Sequence, residues 1–408
     1  MKKQTVTVAQ VLLVILVAGV SYGAVCFNGA GLSHPDDINA SNLTGWDYRP
    51  LLVATYAINR LVGAWMLTNL ALHMAAAVLV LHLSGSTMAA CLFAAHPMAA
   101  DAVASISGRS SMLCAVFVLA SLLALKYRRL VYWALFGLLA FMVKEEAAAL
   151  FLLTPVALWI WNERKLALIS TGAAIIGIAL TISVFSPRIA LSNEREIRQA
   201  LHFELHPPQT PRVFASTLGG YALPRIFFPV GLSADPDPQY SPFQEAAGWA
   251  AMPILLPLVP YFATTIPFLE HRAYLALAIM AMLVTWLTKN RTLWAVLAIF
   301  IILSAERVYV YGSPLRLWED ASEKSPNSAM ARVNYSWFLA MDGRWYESEG
   351  QLQKAIEVQP SNDAGWQNLE SFYWSCYFST RNPNFIAEAS IVADARDAYF
   401  NRKVRPQL

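Results

Sequence analysis

Charge is what this sequence has least of. Of 408 residues only 14% are Asp, Glu, Lys or Arg, where soluble domains carry about 25%. Hydrophobic residues, 57% of the chain, fill the space that charge leaves, so a membrane class is the first reading. Cysteine is sparse as well: Cys26, Cys91, Cys114 and Cys376 are scattered, two of them inside apolar blocks, with no CxxC or paired spacing. That pattern excludes a disulfide framework and a cysteine metal site. The net charge of +3 is small and distributed, which indicates no nucleic-acid partner. There is no Walker-type Gly-rich loop, no HExxH and no GxSxG. A nucleophile-elbow hydrolase or an ATP-driven pump is therefore unsupported.

What is abundant comes in blocks. Val6 to Val25, Met66 to Leu83, Met112 to Leu125, Leu166 to Phe185 and Leu293 to Leu303 are apolar runs separated by short polar breaks. Runs near 20 residues match a hydrocarbon core of about 30 Å at 1.5 Å per residue. The whole series predicts an all-α, polytopic membrane bundle of about ten or eleven spanning helices. The first block is read as an uncleaved helix, because it is longer than the ~7 to 15 residues of a signal-peptide core.

Lys and Arg concentrate in cytoplasmic loops, and threading the blocks from a cytoplasmic N-terminus puts Lys126 to Arg129, Arg164-Lys165 and Lys289 to Arg291 inside. The same register puts Phe27 to Tyr48, Gly108-Arg109, Lys144-Glu145-Glu146, Pro187 to Arg212 and Glu270-His271-Arg272 outside. From Val213 to Phe262, Pro224, Pro229, Pro236, Pro238, Pro242, Pro253, Pro257 and Pro260 interrupt the helical pattern. One span there reads as re-entrant or interfacial.

After Tyr311 the apolar runs stop and an internal period appears. Ser325-Pro326-Asn327-Ser328 recurs as Gln359-Pro360-Ser361-Asn362, with the prolines 34 residues apart, and Asn334 and Asn368 share the spacing. Tyr335, Phe338, Leu339, Trp345, Leu352 and Ile356 fall at helical intervals, with Gly343 at the turn. A 34-residue helix-turn-helix unit with a boundary proline is the tetratricopeptide pattern. Two units fit, the second degrading after Cys376. The expected organisation is a transmembrane domain over 1–311 and an extracytoplasmic tetratricopeptide-like helical domain over 312–408, serving as a docking groove or as a structural cap.

Ionisable groups at membrane depth cost at least ~2.5 to 3.5 kcal/mol each, so they tend to mark function. Asp36 and Asp37 lie in the first outer loop, Arg49 follows, and His73 sits in an apolar helix. His96-Pro97 and Asp101 lead to Gly108-Arg109. Lys144, Glu145 and Glu146 stand between two apolar blocks, and Glu270, His271 and Arg272 begin another helix. In the register above nearly all lie at the outer ends of their helices, the arrangement of one outward-facing polar cavity. Such a set suits transfer from a phosphate-linked donor. Asp36 or Asp37 can take the proton of an attacking hydroxyl, and Arg or Lys can hold the leaving phosphate. The adjacent carboxylates can also share a divalent cation, Mg²⁺ or Mn²⁺, with phosphate oxygens; the residues alone leave metal dependence open.

Asp36-Asp37, Tyr48-Arg49-Pro50-Leu51 and Asn69-Leu70-Ala71-Leu72-His73 resemble the opening of the membrane O-mannosyltransferases with tetratricopeptide repeats and their bacterial relatives. The resemblance runs on through Phe93-Ala94-Ala95-His96-Pro97, Asp101-Ala102-Val103-Ala104, Gly108-Arg109, Lys144-Glu145, Phe228 to Ser233 and Glu270-His271-Arg272-Ala273-Tyr274-Leu275. It implies a GT-C fold, in which the first outer loop carries the catalytic acid and a polyprenyl-phosphate sugar is the donor. By position the acid falls on Asp36 or Asp37. Arg49, His73, His96, Arg109, Lys144, Glu145, Glu270, His271 and Arg272 would line the donor and acceptor cavity. The chain departs from the family pattern at Met98-Ala99-Ala100-Asp101, at Ser110-Ser111 after Gly-Arg, and in its short repeat array.

The leading expectation is thus an inverting, polyprenyl-phosphate-sugar-dependent glycosyltransferase with a protein or surface-glycan acceptor, working among membrane lipids. Two readings compete with it: a non-catalytic membrane-anchored repeat scaffold, and a transporter of lipid-linked sugar. The Lys-Lys start and compact size point to a bacterial inner membrane.

Overall fold

The computed structural model describes residues 5–27, 49–174, 211–236, 241–251, 270–288, 293–361 and 363–404. Every regular element among them is a helix, and the chain divides into two compact units. Of the described residues, 233–236 and those from 314 onward make up the second unit, and the rest the first.

In the first unit, α1 (Val8–Tyr22) opens with a reciprocal cap. Thr7 Oγ1 accepts from the Gln10 amide at 3.3 Å while Gln10 Oε1 accepts from the Thr7 amide at 2.9 Å, so two of the helix's orphan donors are satisfied. Next come α2 (Pro50–Val62), α3 (Trp65–Ser84) and α4 (Thr87–Ala94). The α3 helix stops at Gly85, whose φ of 68° is a left-handed turn that a side chain would resist. Then follow α5 (Ala100–Ala104), α6 (Arg109–Lys126), α7 (Leu130–Phe141), α8 (Ala149–Ile160), α9 (Pro211–Thr217), α10 (Leu223–Phe227), α11 (Pro242–Ala250), α12 (Tyr274–Thr288) and α13 (Leu293–Tyr311).

Five helices are long and apolar enough to cross a membrane: Val8–Cys26, Trp65–Ser84, Arg109–Lys126, Glu270–Thr288 and Leu293–Tyr311. The pair Thr87–Ala94 and Pro97–Ala104 makes a sixth span if its 52° bend is counted as one crossing. Three further apolar helices, Pro50–Val62, Leu130–Phe141 and Glu146–Ile160, are shorter. These figures refer to the described residues; part of the apolar block ending at Phe185, from which a further span is expected, lies outside them.

Read by its apolar pattern, the third helix carries both His96-Pro97 and Asp101, and the structure breaks it at His96. Proline has no amide hydrogen and disfavours a helical conformation in the residue before it. His96 is accordingly extended (φ −73°, ψ 119°), and its own ring nitrogen Nδ1 accepts from the Met98 amide at 3.2 Å to restart the chain as a short 3₁₀ turn, Pro97–Ala99. After Val213 the chain runs through α9, a π turn over Leu218–Ala222 and α10, with Leu223 still helical before Pro224, and an irregular stretch follows α10 before α11. Residues 252–269, with Pro253, Pro257 and Pro260, lie outside the described set.

The outer surface of this unit is apolar: Leu12, Leu16 and Val20 on α1 are each at least 60% exposed. Its interior holds His73, His96, Asp101, Arg109, Lys144, Glu146, Glu270 and Arg307. Polar inside and apolar outside is the distribution that a hydrocarbon solvent selects.

The second unit follows water rules. Helices α14 (Pro314–Lys324), α15 (Ala329–Met341), α16 (Trp345–Val358), α17 (Asp363–Thr380) and α18 (Asn384–Val404) run as successive antiparallel neighbours joined by short turns. Their apolar faces meet in one core of Ala329, Val333, Leu352, Ala355, Leu369, Phe372, Tyr373, Ala389 and Val392. Each large side chain so buried stabilises the unit by about 1.5–3 kcal/mol. Ser328 caps α15 by accepting from the Ala331 amide at 3.0 Å, and it also donates to Asp235. The second hairpin does not degrade after Cys376: α17 continues to Thr380, and α18 completes the pair because Phe385, Ala389 and Val392 keep a helical apolar stripe facing the core.

Candidate functional site

Glu270 and His271 lie in a 3₁₀ turn, Glu270–Ala273, that leads directly into α12. Both side chains turn inward and each meets a partner from a distant part of the sequence. Oδ2 of Asp101, on α5, lies 2.8 Å from Nδ1 of His271 and accepts from the His271 amide at 2.9 Å. A carboxylate only accepts, so the proton sits on Nδ1 and the Nε2 lone pair is left as the acceptor of the ring. This is an oriented acid–imidazole pair, the arrangement that fixes a histidine for proton transfer.

Glu270 is fully buried. One of its oxygens accepts from the Tyr221 hydroxyl at 2.5 Å, and the other lies 3.2 Å from Nη2 of Arg307 on α13. Arg307 also donates to the Leu232 carbonyl at 3.0 Å, with its guanidinium 5.1 Å over the Tyr311 ring. The Phe228 to Ser233 segment is held at a second point, where Arg225 donates to the Gly231 carbonyl at 3.0 Å while stacking 3.9 Å over Tyr221. Two acids, an imidazole, an arginine and two tyrosines are thus gathered from four segments of chain.

The geometry of Asp101 depends on a glycine. A Cβ on Gly108 would stand 2.5 Å from Cα of Ala102 and 2.8 Å from the Asp101 carbonyl. Only a bare α-carbon lets the start of α6 lie against the backbone of α5. That contact also places Arg109, which is completely buried between the rings of Tyr56 and Trp65, 5.1 and 5.3 Å away. Arg109 donates to Asn69 Oδ1 at 2.7 Å and to the Trp65 carbonyl at 2.9 Å. Asn69 in turn donates to the carbonyls of Val103 and Ser105.

Lys144 and Glu146 form a buried ion pair at 2.8 Å, with the Ser111 hydroxyl accepting from Lys144 at 2.7 Å and donating to Glu146 at 3.1 Å. The chain is extended at Lys144 and then tightens into a 3₁₀ turn, Glu145–Ala148, which brings Glu146 back under the ammonium. Of the two acids that follow Lys144 in sequence, Glu146 is its observed partner, and the Glu145 side chain lies outside the described ones.

The other two histidines expected in the cavity, His73 and His96, are engaged by the protein. His73 Nε2 donates to the Ala94 carbonyl at 3.1 Å, so Nδ1 accepts from Tyr274 Oη, 2.6 Å away. His96 Nε2 donates to the Ile226 carbonyl at 2.9 Å while Nδ1 serves the Met98 amide. Both rings are thereby fixed as neutral Nε2–H tautomers. Nor does His73 stand at a helix end; it is the ninth residue of the 20-residue α3.

Arg272 is buried within the same turn as His271. Arg49 is half-buried at the start of α2, its carbonyl accepting from the Val53 amide at 3.1 Å. Asp36 and Asp37 lie outside the described residues. Among the described residues no group of three His, Cys, Asp or Glu side chains is placed to hold a metal ion.

Sequence reasoning passes over Arg307 and Tyr221. Arg307 had a signal, since Glu306-Arg307 interrupts an otherwise apolar helix. Tyr221 had none, because a tyrosine in an aromatic-rich membrane protein is unremarkable until its partner is known.

Over 111 aligned residues the chain is 33% identical to the human protein named Protein O-mannosyl-transferase TMTC4, a match that covers 21% of this chain and 15% of that protein. The chain thus spans a small part of the length of the curated relative it matches. No family model matches the chain, and no solved structure does.

Proposed function

We propose that this protein is a membrane glycosyltransferase of the GT-C type, moving a sugar from a polyprenyl-phosphate carrier to a protein or surface-glycan hydroxyl outside the cytoplasm. The observation that carries the reading is the buried cluster of Asp101, His271, Glu270 and Arg307 inside an apolar bundle. Removing either partner of a buried ion pair destabilises a protein by about 3–5 kcal/mol, and keeping the pair is often no more stable than an apolar packing. A helix bundle that served only as an anchor would gain nothing from it. The partial likeness to a protein named as an O-mannosyltransferase points to the same chemistry.

In this reading the acceptor oxygen attacks the anomeric carbon, the bond from that carbon to the phosphate oxygen breaks, and the hydroxyl proton passes to a carboxylate. We assign that carboxylate to Asp37 or Asp36. Arg272 and Arg109 compensate charge on the departing phosphate, and the His271 Nε2 lone pair, held by Asp101, orients a hydroxyl. His73, His96 and Lys144 act by fixing the walls, Glu145 and Arg49 line the approach, and a divalent cation shared by Asp36 and Asp37 is one way to bind the phosphate.

The test is transfer of labelled sugar from a polyprenyl-phosphate donor by the purified protein in vesicles. Asp36→Asn, Asp37→Asn and the double variant are expected to insert normally and lose transfer. Unchanged transfer in all three overturns the assignment of the base, and donor that crosses the bilayer without being consumed by acceptor would identify a transporter instead. Mass spectrometry of glycoproteins and surface glycans with and without the gene then names the acceptor.

A further inference from the structure

The second unit has two ends, and they differ in chemistry. Its helices are antiparallel neighbours, so the C-termini of α15 and α17 and the N-termini of α16 and α18 come together at one end. The Trp345 ring, in the first turn of α16, lies 6.0 Å from that of Phe372 on α17, and Tyr373 donates to Glu349 at 2.7 Å, which fixes this register. That end carries a concentration of exposed large apolar side chains: Trp337, Met341, Trp345, Tyr346, Trp374 and Phe378, from 37% exposed at Trp374 to 88% at Tyr346. The opposite end has Val358 at 36%.

The same end is where the chain enters the unit. Tyr335 on α15 donates to Glu319 on α14 at 3.0 Å, and the two helices are antiparallel, so Pro314, five residues before Glu319, lies opposite the last turn of α15. Pro314 follows within three residues of Tyr311, the last residue of a helix apolar enough to cross a membrane. The chain therefore enters this unit at its aromatic end, three residues after α13 stops.

We infer that this end of the helical unit is a membrane-contact surface, seated in the headgroup layer of the bilayer that the apolar helices cross. Tryptophan and tyrosine are the residues that favour this layer, because each has an apolar body and one polar atom. Its charges suit a lipid surface of no particular sign: Arg344 is bonded to Glu347 at 2.6 Å, and Arg381 lies 6.0 Å over the Tyr377 ring. Contact therefore depends on apolar insertion, to a depth of about 5–10 Å, and changes little between zwitterionic and anionic lipid.

A spin label reports this in the full-length protein. Tyr346 and Glu357 are both exposed and lie at opposite ends of α16, so Tyr346→Cys and Glu357→Cys place one label at each end without disturbing the core. The background carries Ser at the four native cysteines and is first checked to purify as a single species. In phosphatidylcholine vesicles the label at 346 is expected to collide severalfold more with oxygen, relative to a water-soluble nickel chelate, than the label at 357. Adding phosphatidylserine should change the ratio little. Equal ratios at the two sites overturn the inference. So does a label at 346 shielded from oxygen and chelate alike, which would mean that protein covers this end.

Discussion

The two units solve the same problem with opposite surfaces. In the helical unit apolar side chains form the core, and the ion pair Arg344–Glu347 stands in solvent. In the larger unit leucine and valine face outward, and the ion pairs Lys144–Glu146 and Glu270–Arg307 are almost wholly enclosed. The lesson is that an ion pair takes its weight from where it sits. Exposed pairs add little to stability because water and salt already screen them. In an apolar interior a charge without its partner is worse than no charge at all.

The largest effect should come from splitting a buried pair. Arg307→Met is expected to destabilise the protein by about 3–5 kcal/mol, and Glu270→Gln with Arg307→Met should recover much of the loss. Unfolding in mixed micelles measures both, and a single variant no worse than an exposed-pair deletion would break the contrast between the units. Next is Gly108→Ala, in which the added methyl must push α5 from α6 at a cost of about 1–3 kcal/mol. Sugar transfer should fall further than stability does, because Asp101 moves with α5.

Smaller effects are expected in the helical unit. Tyr335→Phe removes its bond to Glu319 and should cost about 0.5–1.5 kcal/mol at neutral pH. Burial first, and then the neighbouring Glu319, push the Tyr335 hydroxyl from 10.0 up to about 12. A group that must stay protonated in the fold contributes fully below its unfolded value and loses that contribution as pH rises toward its folded one. Stability of this unit should accordingly fall between pH 10 and 12, and less so in Tyr335→Phe; Tyr373, displaced the same way, carries the rest of the slope. The smallest effect is that of Arg344→Ala, expected to leave the melting temperature unchanged.

The helices were legible because their signals are local. Thr7 with Gln10 marks the start of α1, Gly85 the end of α3, and the recurring prolines Pro326 and Pro360 mark the turns of the helical unit. The bend at His96-Pro97 was not read, because the pattern of apolar residues runs straight through it and masks the break that the proline makes. The site was only half legible. Asp101, Glu270 and His271 stand out as ionisable groups in apolar surroundings, but nothing local says that Asp101 pairs with a residue 170 positions away. That Lys144 pairs with Glu146 turns on a 3₁₀ turn that no local signal announces. Arg307 had a local signal in Glu306-Arg307, two charges within a 19-residue apolar run, but nothing local says that it pairs with Glu270.

His96 has a consequence for how the protein is put together. Its carbonyl accepts from Tyr22, its Nε2 donates to the Ile226 carbonyl, and the carbonyl of its neighbour Ala95 accepts from Ser304. This joint waits on four stretches of chain that leave the ribosome far apart in time. Synthesis runs at about 5–20 residues per second, so the hydroxyl of Tyr22 precedes that of Ser304 by some tens of seconds. Tyr22 meets the His96 carbonyl early, but the His96 ring and the Ala95 carbonyl wait for Ile226 and Ser304, and a chaperone or insertase that shelters them has that long to act.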